Sequence, residues 1–429
     1  MIIKRVMSLC FLCIFGTVST LSSAASNKEL EAQVKAIQER LDKSEAAAAV
    51  SAKKLKKLKK KTSKKFLKLG DRLDGMSQRL KINGFATASL VTSDADSDHL
   101  SITHGIQDKP SGLPYSRLGI QMDFFINDEF NFVVQLLSEG RSYWNTYANW
   151  SYLKYKPTAD WTVRAGKLRI PYYLMSEYID VGYAIPWART PTEIYSVYLS
   201  NFTGFDVEWQ YTKGDLQNSI KVFYGTTAES VTAIDYEGNN FVGIEDRVTF
   251  GYWTARIALT TAKFDLVLTN EAAQTQGALL TTLGVPVGYG FDLNKADFAY
   301  NSIGIAYDNE KLFINTEAIQ TELQGILADA EAIYFSVGYR FGPWVPSIIV
   351  SKTNSTDDEY RRTIAVIPLN TLFDVAEESA SIHLRYNVNS NVALKLAVEH
   401  NNPLRGSSGL LSDPEDSYEV YLFTVDALF

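Results

Sequence analysis

Cysteine is almost absent from this 429-residue chain: there are two, Cys10 and Cys13, both within the first 25 residues. Without that segment the chain can form no disulfide and offers no thiol nucleophile or thiolate metal site, although an exported chain would be free to form disulfides. Histidine is scarce too, with four. No HExxH helix, Gly-rich phosphate loop or cysteine cluster occurs. Beyond the N-terminus there is no long apolar run. That excludes a bundle of membrane helices, each of which needs ~20 apolar residues. Charged residues make up only 21%, yet hydrophobic residues reach 46% and aromatic ones 12%. Disorder is thereby excluded as well. Length alone suggests two or three domains. What remains is an aromatic-rich chain whose apolar residues are never contiguous.

The N-terminus reads as a secretory signal peptide over residues 1–25. Lys4 and Arg5 open it, an apolar stretch runs from Val6 to Val18, and Ser22-Ser23-Ala24-Ala25 offers a small-residue cleavage site. The stretch is shorter than the ~20 residues of a membrane span.

Residues 26–80 predict a lysine-rich helical stalk. Leu30, Val34, Ile37, Leu41, Ser44, Ala48, Ser51, Leu55 and Leu58 recur at the 4-3 spacing of a heptad seam. The pattern slips at Thr62 and Phe66 and resumes at Leu69, Leu73, Met76 and Leu80, a stutter that unwinds a supercoil locally. Gly70 and Gly75 weaken its end. A lone helix with no core to pack on implies self-association as a coiled coil. Ten lysines fall between Lys53 and Lys68, and residues 1–80 carry net +11 against −18 in the remainder. They suit either a solvated coiled-coil surface or adhesion to an anionic polymer such as peptidoglycan. Nucleic acid is not an expected partner of an exported chain.

From residue 81 onward, alternation of apolar and polar residues dominates. It is plain in Phe205-Asp206-Val207-Glu208-Trp209-Gln210-Tyr211, in Arg117–Phe124, in Ile382–Tyr386 and in Phe335–Phe341. Period two means strands with one apolar and one polar face. Sixteen such segments are legible, and every second connection is short and turn-like: Asn127-Asp128, Pro157–Asp160, Lys213–Asp215, Gly251-Tyr252, Asn309-Glu310, Gly342-Pro343 and Asn389–Asn391. The intervening connections are mostly long and polar. Regular alternation of short and long ends is the layout of an outer-membrane barrel, with outward apolar residues, inward polar ones and aromatic girdles at strand ends. Tyr195, Tyr198, Trp209, Tyr211, Trp253, Tyr307, Tyr339, Trp344, Tyr386 and Tyr421 are the girdle candidates. The 349 residues of 81–429 suit sixteen strands, or eighteen, around an aqueous lumen.

Two segments carry a family likeness. The last strand alternates Tyr421, Phe423, Val425, Ala427 and Phe429 and stops on the aromatic residue. The stretch Trp161–Tyr211 places a long connection, 170–203, between strands 5 and 6. The chain resembles the Gram-negative outer-membrane trimeric porins. That resemblance implies an all-β fold, a 16-stranded antiparallel transmembrane β-barrel preceded here by an α-helical coiled coil. It also implies a homotrimer in outer-membrane lipid, a third loop folded into the lumen, and a terminal strand read by the assembly machinery. The expected function is a porin, a passive diffusion channel for small hydrophilic solutes and ions, without enzyme activity or cofactor. Alternatives are an outer-membrane-to-peptidoglycan tether through Lys53–Lys68, or an 18-stranded substrate-specific channel.

Residue chemistry fits a charged constriction. Glu177, Asp180 and Glu193 offer loop carboxylates, Arg189 is the loop's cation, and Lys167 and Arg169 share one face of strand 5. By parity Arg117, Arg340, His383, Arg385 and Lys395 face the lumen. Acid on the loop opposite base on the wall gives a transverse field that sorts polar solutes; otherwise a pair such as Glu177 with Arg189 simply holds the loop. Arg164 has the opposite parity to Lys167, which calls for snorkelling or for a bulge at Gly166. His99 and His104 beside Asp94, Asp96 and Asp98 read as a solvated loop, and no metal site is expected.

Overall fold

A computed structural model describes residues 27–77, 79–95, 106, 108–195, 199–231, 234–268, 271–282, 294–323, 329–356, 375–405, 407, 409–411 and 417–429. The expected signal peptide, His99, His104, Asp96, Asp98 and Tyr198 lie outside these residues. The chain separates into two compact units, Met1–Met76 and Ser77–Phe429.

In the first unit, one helix, α1, runs over Asn27–Ser77. Gly70 and Gly75 do not interrupt it. Its 51 residues correspond to about 76 Å at ~1.5 Å per residue. Val34, Ile37, Leu41, Leu55, Leu58 and Phe66 on the predicted seam are each more than half exposed.

The second unit is a closed antiparallel barrel of sixteen strands, each paired with its chain neighbours and β1 closing on β16. In order they are β1 Leu80–Ser93, β2 Arg117–Phe125, β3 Phe130–Glu139, β4 Thr146–Tyr155, β5 Trp161–Arg169, β6 Asn201–Lys213, β7 Leu216–Val231 and β8 Ile234–Phe250, then β9 Trp253–Leu268, β10 Ala296–Asp308, β11 Leu312–Leu323, β12 Ala330–Tyr339, β13 Trp344–Ser355, β14 Ala376–Asn387, β15 Val392–Pro403 and β16 Tyr418–Leu428. The barrel therefore closes at sixteen strands rather than eighteen. Closure is local and tight: Phe429 and Gly84 exchange backbone hydrogen bonds of 2.7 and 2.9 Å.

The short turns hold for a common reason. In three of them an Asn side chain accepts from the two backbone N–H groups that begin the next strand: Asn127 from Glu129 and Phe130, Asn309 from Lys311 and Leu312, Asn389 from Asn391 and Val392. This Asx arrangement supplies the turn's missing acceptor without a longer loop. Gly214, Gly251 and Gly342 take positive φ in three more.

Outward residues are apolar and exposed, as on β12, where Ile333 and Phe335 face out while Tyr334 and Ser336 are buried. Such a surface belongs against lipid. At the short-turn rim, Trp253 stacks near Tyr307 (4.8 Å between ring centroids), Trp344 near Tyr386 (4.6 Å) and Tyr339 near Phe341 (4.4 Å).

Three features depart from the sequence expectations. Strand β7 runs to Val231 where the alternation predicts an end at 226, β8 begins at Ile234 rather than 242, and β9 runs to Leu268 rather than 262; the β7–β8 ladder shifts register at Gly225/Thr227 and the β8–β9 ladder at Asn239/Val242. A helix, α2, occupies Glu271–Thr282 in the next connection. The interior is also not uniformly polar. An apolar cluster fills it beside β6–β13, built from Phe202, Phe223, Phe241, Phe298, Tyr300 and Tyr334 with the residues of the 5–6 connection. Tyr195, a girdle candidate, belongs to this inner packing instead.

Candidate functional site

The connection that follows β5 enters the barrel over its described residues from Ile170 to Tyr195. Its apolar residues explain why. Ile170, Tyr172, Leu174, Met175, Trp187 and Ile194 are almost fully buried, and the inner cluster is where they find partners. Tyr172 packs on Tyr300 at 4.2 Å between centroids, Tyr173 on Tyr195 at 4.4 Å, and Trp187 meets Tyr334 edge-on at 5.8 Å. Burying these side chains stabilises the inserted loop by roughly 1.5–3 kcal/mol each.

Polar contacts fix the loop at both ends of its path. At the start, Arg256 of β9 is fully buried and donates to the carbonyls of Pro171 and Tyr172 and to Ser302 Oγ. Its charge is balanced by Glu245 at 2.8 Å and Glu317 at 3.7 Å. Glu317 also accepts from the Leu174 N–H and the Tyr195 hydroxyl, each at 2.9 Å.

On the β2–β7 side, Glu177 meets Lys221 (2.9 Å) and Arg164 (3.9 Å). Asp180 meets Arg169, Arg117 at 3.4 Å and Asn149 at 2.8 Å. On the opposite side, Arg189 bonds Glu399 and the Tyr115 hydroxyl. Arg385 donates to the carbonyls of Tyr183 (2.7 Å) and Ile185 (3.0 Å). Lys395 bridges the Gly182 carbonyl (2.7 Å) and Asp426 (2.8 Å). The Ala188 N–H donates to His383 Nδ1 at 3.2 Å. That places the ring proton on Nε2, which donates to Ser381 Oγ. Gly182 sits so close to the wall that a Cβ there would stand 2.1 Å from Asp426 Oδ1.

The predicted residues therefore divide. Glu177, Asp180, Arg169 and Arg117 come together on one wall, and Arg189, His383, Arg385 and Lys395 on the other. Lys167 lies over the Tyr147 ring at 5.9 Å. Arg340 is not at the loop: it follows β12 and pairs with Asp308 beside the short turn after β10. Glu193 is buried against the wall rather than lining an opening. Glu177 and Arg189 do not pair with each other. Arg164 reaches inward to Asp206 at 2.6 Å and to Glu177. The β5 ladder runs through Gly166 without a register shift, although Gly166 has φ +139°. A side chain there would strike Ser151 O and Tyr152 Cα.

The loop acids and wall bases thus make contact pairs rather than facing charges across a gap. An unpaired charge in this low-dielectric interior costs several kcal/mol, which favours contact. Lys221, Glu245, Arg256, Glu317, Glu399 and Asp426 were not singled out from the sequence. Each is a charged residue at an inward position of an alternating strand, and that parity was the available signal.

The pairing shows in the acid groups. Lys221 above all, then Arg164 and Arg247 against an opposing burial, lowers the Glu177 carboxyl to about 2. For Asp180 burial opposes ionisation, but Arg169 and Arg117 outweigh it and hold the carboxyl below its usual range. A carboxyl lowered on folding adds stability above its unfolded value, lost only as pH falls through the folded one. The Glu177–Lys221 contact is therefore expected to persist at pH 4. Exchange of loop amides should match at pH 4 and pH 7 after correction for intrinsic rates; a loop loosened already at pH 4 would contradict the pairing.

No protein-family model and no curated protein matches the chain. Solved structures do match. They include the outer-membrane channel DcaP of Acinetobacter baumannii, with 12% identity and TM-score 0.52 over 82% of this chain and 97% of that one. OmpF of Salmonella typhi in complex with daunomycin is similar over the same shares, with 13% identity and TM-score 0.51. The anion-selective porin of Comamonas acidovorans shows 13% identity and TM-score 0.50 over 82% of this chain and 99% of that one. With its outward-facing apolar strands closed at sixteen, the chain has the β-barrel fold of the outer-membrane porins it is similar to.

Proposed function

We propose that the chain is an outer-membrane diffusion channel for small hydrophilic solutes and ions, with the 170–200 loop as its constriction. The observation that carries this reading is the loop's course inside a closed sixteen-stranded barrel, bonded to inward side chains of strands on both sides. With apolar packing concentrated beside β6–β13, the polar route runs along β2–β5. There Arg117, Lys154, Arg164 and Glu177 line it, with the Tyr152 ring against Arg164, Tyr147 against Lys167 and Trp150 against Arg169. A homotrimer is the assembly this fold favours. Purified protein in planar bilayers should give discrete ion-conducting steps; a folded, inserted protein without them would end the proposal.

The stalk supports a second role beside the first. An exposed apolar seam on α1 suits a coiled coil with the other copies of a trimer. Bundled this way, the Lys53–Lys68 segments would present a dense cationic sleeve to an anionic polymer, and peptidoglycan is the one within reach. Deleting residues 27–78 should abolish co-sedimentation with peptidoglycan while conductance persists. Unchanged co-sedimentation would remove the tether.

A further inference from the structure

Tyr143 and Trp144 lie in the connection between β3 and β4, at the barrel end opposite the Asn127, Asn309 and Asn389 turns. Both have left-handed backbones, with φ 52° and 63°. Gly, Asn and Asp accept such angles readily, so two bulky aromatic residues in succession are outliers. Tyr143 is also 83% exposed, more than any other large apolar side chain among the described residues, and Trp144 is 48% exposed. The rim aromatics Trp253, Trp344 and Tyr386, by contrast, lie on strands.

The turn is firmly held. The Tyr143 N–H donates to the Gly140 carbonyl and the Trp144 N–H to the Glu139 carbonyl, both at 2.9 Å, and the Asn145 N–H to the Ser142 carbonyl at 3.1 Å. Ser138 Oγ donates to the Trp144 carbonyl at 2.8 Å. The Gly140 N–H donates to the Ser116 carbonyl at 2.8 Å, and Gly140 passes so close to the Leu113 carbonyl that no side chain fits there. Strain kept in place by so many ties points to a use for the two rings, since Asn or Gly would form the turn without it.

What the turn offers is largely neutral. The Arg141 guanidinium bonds Glu139 at 2.9 Å, and the Tyr147 hydroxyl donates to the same carboxylate oxygen at 2.7 Å. Asn145 and Thr146 are exposed and Ser142 is half-buried. Aromatic rings on a rigid backbone beside amide and hydroxyl groups suit a sugar: a pyranose lays its C–H face on the negative face of a ring and turns its hydroxyls to the polar neighbours. The place suits capture. Glu139 pairs with Arg117 across β2 and β3, and Arg117 meets Asp180 of the inward loop, so the turn rises from the head of the polar route along β2–β5.

We propose that the β3–β4 turn is a sugar-binding platform at the outer mouth, with Tyr143 and Trp144 as its stacking surfaces and Ser142, Asn145 and Thr146 as its hydrogen-bonding groups. The sugar belongs to a solute on its way in or to a glycolipid of the outer leaflet. Entry of a bound sugar into the lumen rests on the channel reading; the binding does not.

Isothermal titration of the purified full chain in detergent tests the binding, with maltohexaose, cellohexaose and chitohexaose as free probes and lipopolysaccharide in mixed micelles as the lipid-borne one. At least one should bind saturably, and Tyr143→Asn with Trp144→Asn should weaken it by about tenfold or more. Asn takes a left-handed backbone more readily than either aromatic residue, so this variant keeps the turn. Tyr143→Phe with Trp144→Phe keeps the rings and should stay within about threefold of the parent. Binding of a free probe marks a solute site, and binding of lipopolysaccharide alone a glycolipid site. No saturable binding by the parent, or equal binding by the Asn variant, overturns the platform. So does an Asn variant whose only change is a lost oligomer in analytical ultracentrifugation, which would make the turn a contact between copies. A bound free probe should also interrupt the current of single channels; binding by a protein that gives no conducting steps would refute the channel and keep the platform.

Discussion

Replacing Arg256 by Met is expected to destabilise the barrel by about 3–5 kcal/mol, the usual cost of removing one partner from a buried ion cluster. Arg256 has no exposed surface and Glu317 has none either. Met fills most of the volume but leaves Glu317 facing only the Leu174 N–H and the Tyr195 hydroxyl, and leaves the Pro171 carbonyl without its donor and the Tyr172 carbonyl with Ser302 Oγ alone. Glu245 suffers less, because Lys221 and Arg247 remain beside it at 3.3 and 3.2 Å. Urea unfolding in lipid vesicles, followed by tryptophan fluorescence, measures the effect. A loss under 1 kcal/mol would mean that the cluster is already hydrated and does not anchor the loop. A companion Glu317→Gln with Arg256→Met should recover part of the loss, because the uncompensated charge goes with its partner.

Arg189→Leu should have the largest effect on conduction. Arg189 and Glu399 are both buried and bonded through two nitrogens. Without the guanidinium, Glu399 keeps no cation contact among the described residues. An uncompensated buried charge then acts on the loop segment 185–195, whose remaining ties to the wall are the Ala188 N–H to His383, the Ile185 carbonyl to Arg385 and the Tyr195 hydroxyl to Glu317. Single-channel conductance at neutral pH is expected to increase at least twofold, with a stability loss of about 3 kcal/mol. Conductance equal to wild type, in a variant that still folds, would mean that this half of the loop is held by Trp187 and Ile194 packing alone.

The barrel was legible because lipid imposes a rule on sequence. Wherever a strand crosses the apolar layer, every other residue must be apolar, so Phe335–Phe341 and Ile382–Tyr386 announce themselves. The same rule explains the miss at the far ends of β7 and β8. In Thr226-Thr227-Ala228-Glu229 and Asp235-Tyr236-Glu237-Gly238 the strands continue with no apolar face, because past the lipid layer neither face has to be apolar and the period-two signal ends while the hydrogen bonds go on. The loop was legible as an insertion by its length and position, but its partners were not. Glu177 and Arg189 look complementary in sequence, yet the turns at 176–178 and 182–184 send them to opposite walls, where Lys221 and Glu399 wait on strands tens or hundreds of residues away. Parity puts Arg117, His383, Arg385 and Lys395 on the inner face, and each meets the loop. Arg340, one residue past the strand, lies over the ring of buried Phe313 and pairs with Asp308 at the short-turn rim, away from the loop. The inner aromatic cluster was hidden for the opposite reason: Phe223, Phe241 and Tyr300 are apolar residues on the face expected to be polar, and only the inserted loop makes them favourable there.

The most direct test of the central claim uses the scarcity of cysteine. With Cys10 and Cys13 in the segment expected to be cleaved, Glu177→Cys gives a single thiol at a loop position whose native side chain is 60% exposed inside the barrel. Applying a bulky thiol reagent to single channels of this variant should reduce each conductance step by at least half, irreversibly until a reductant is added, while wild-type channels are unaffected. Full modification confirmed by mass, with conductance unchanged, would contradict the account, because ions would then be passing somewhere other than beside the inward loop.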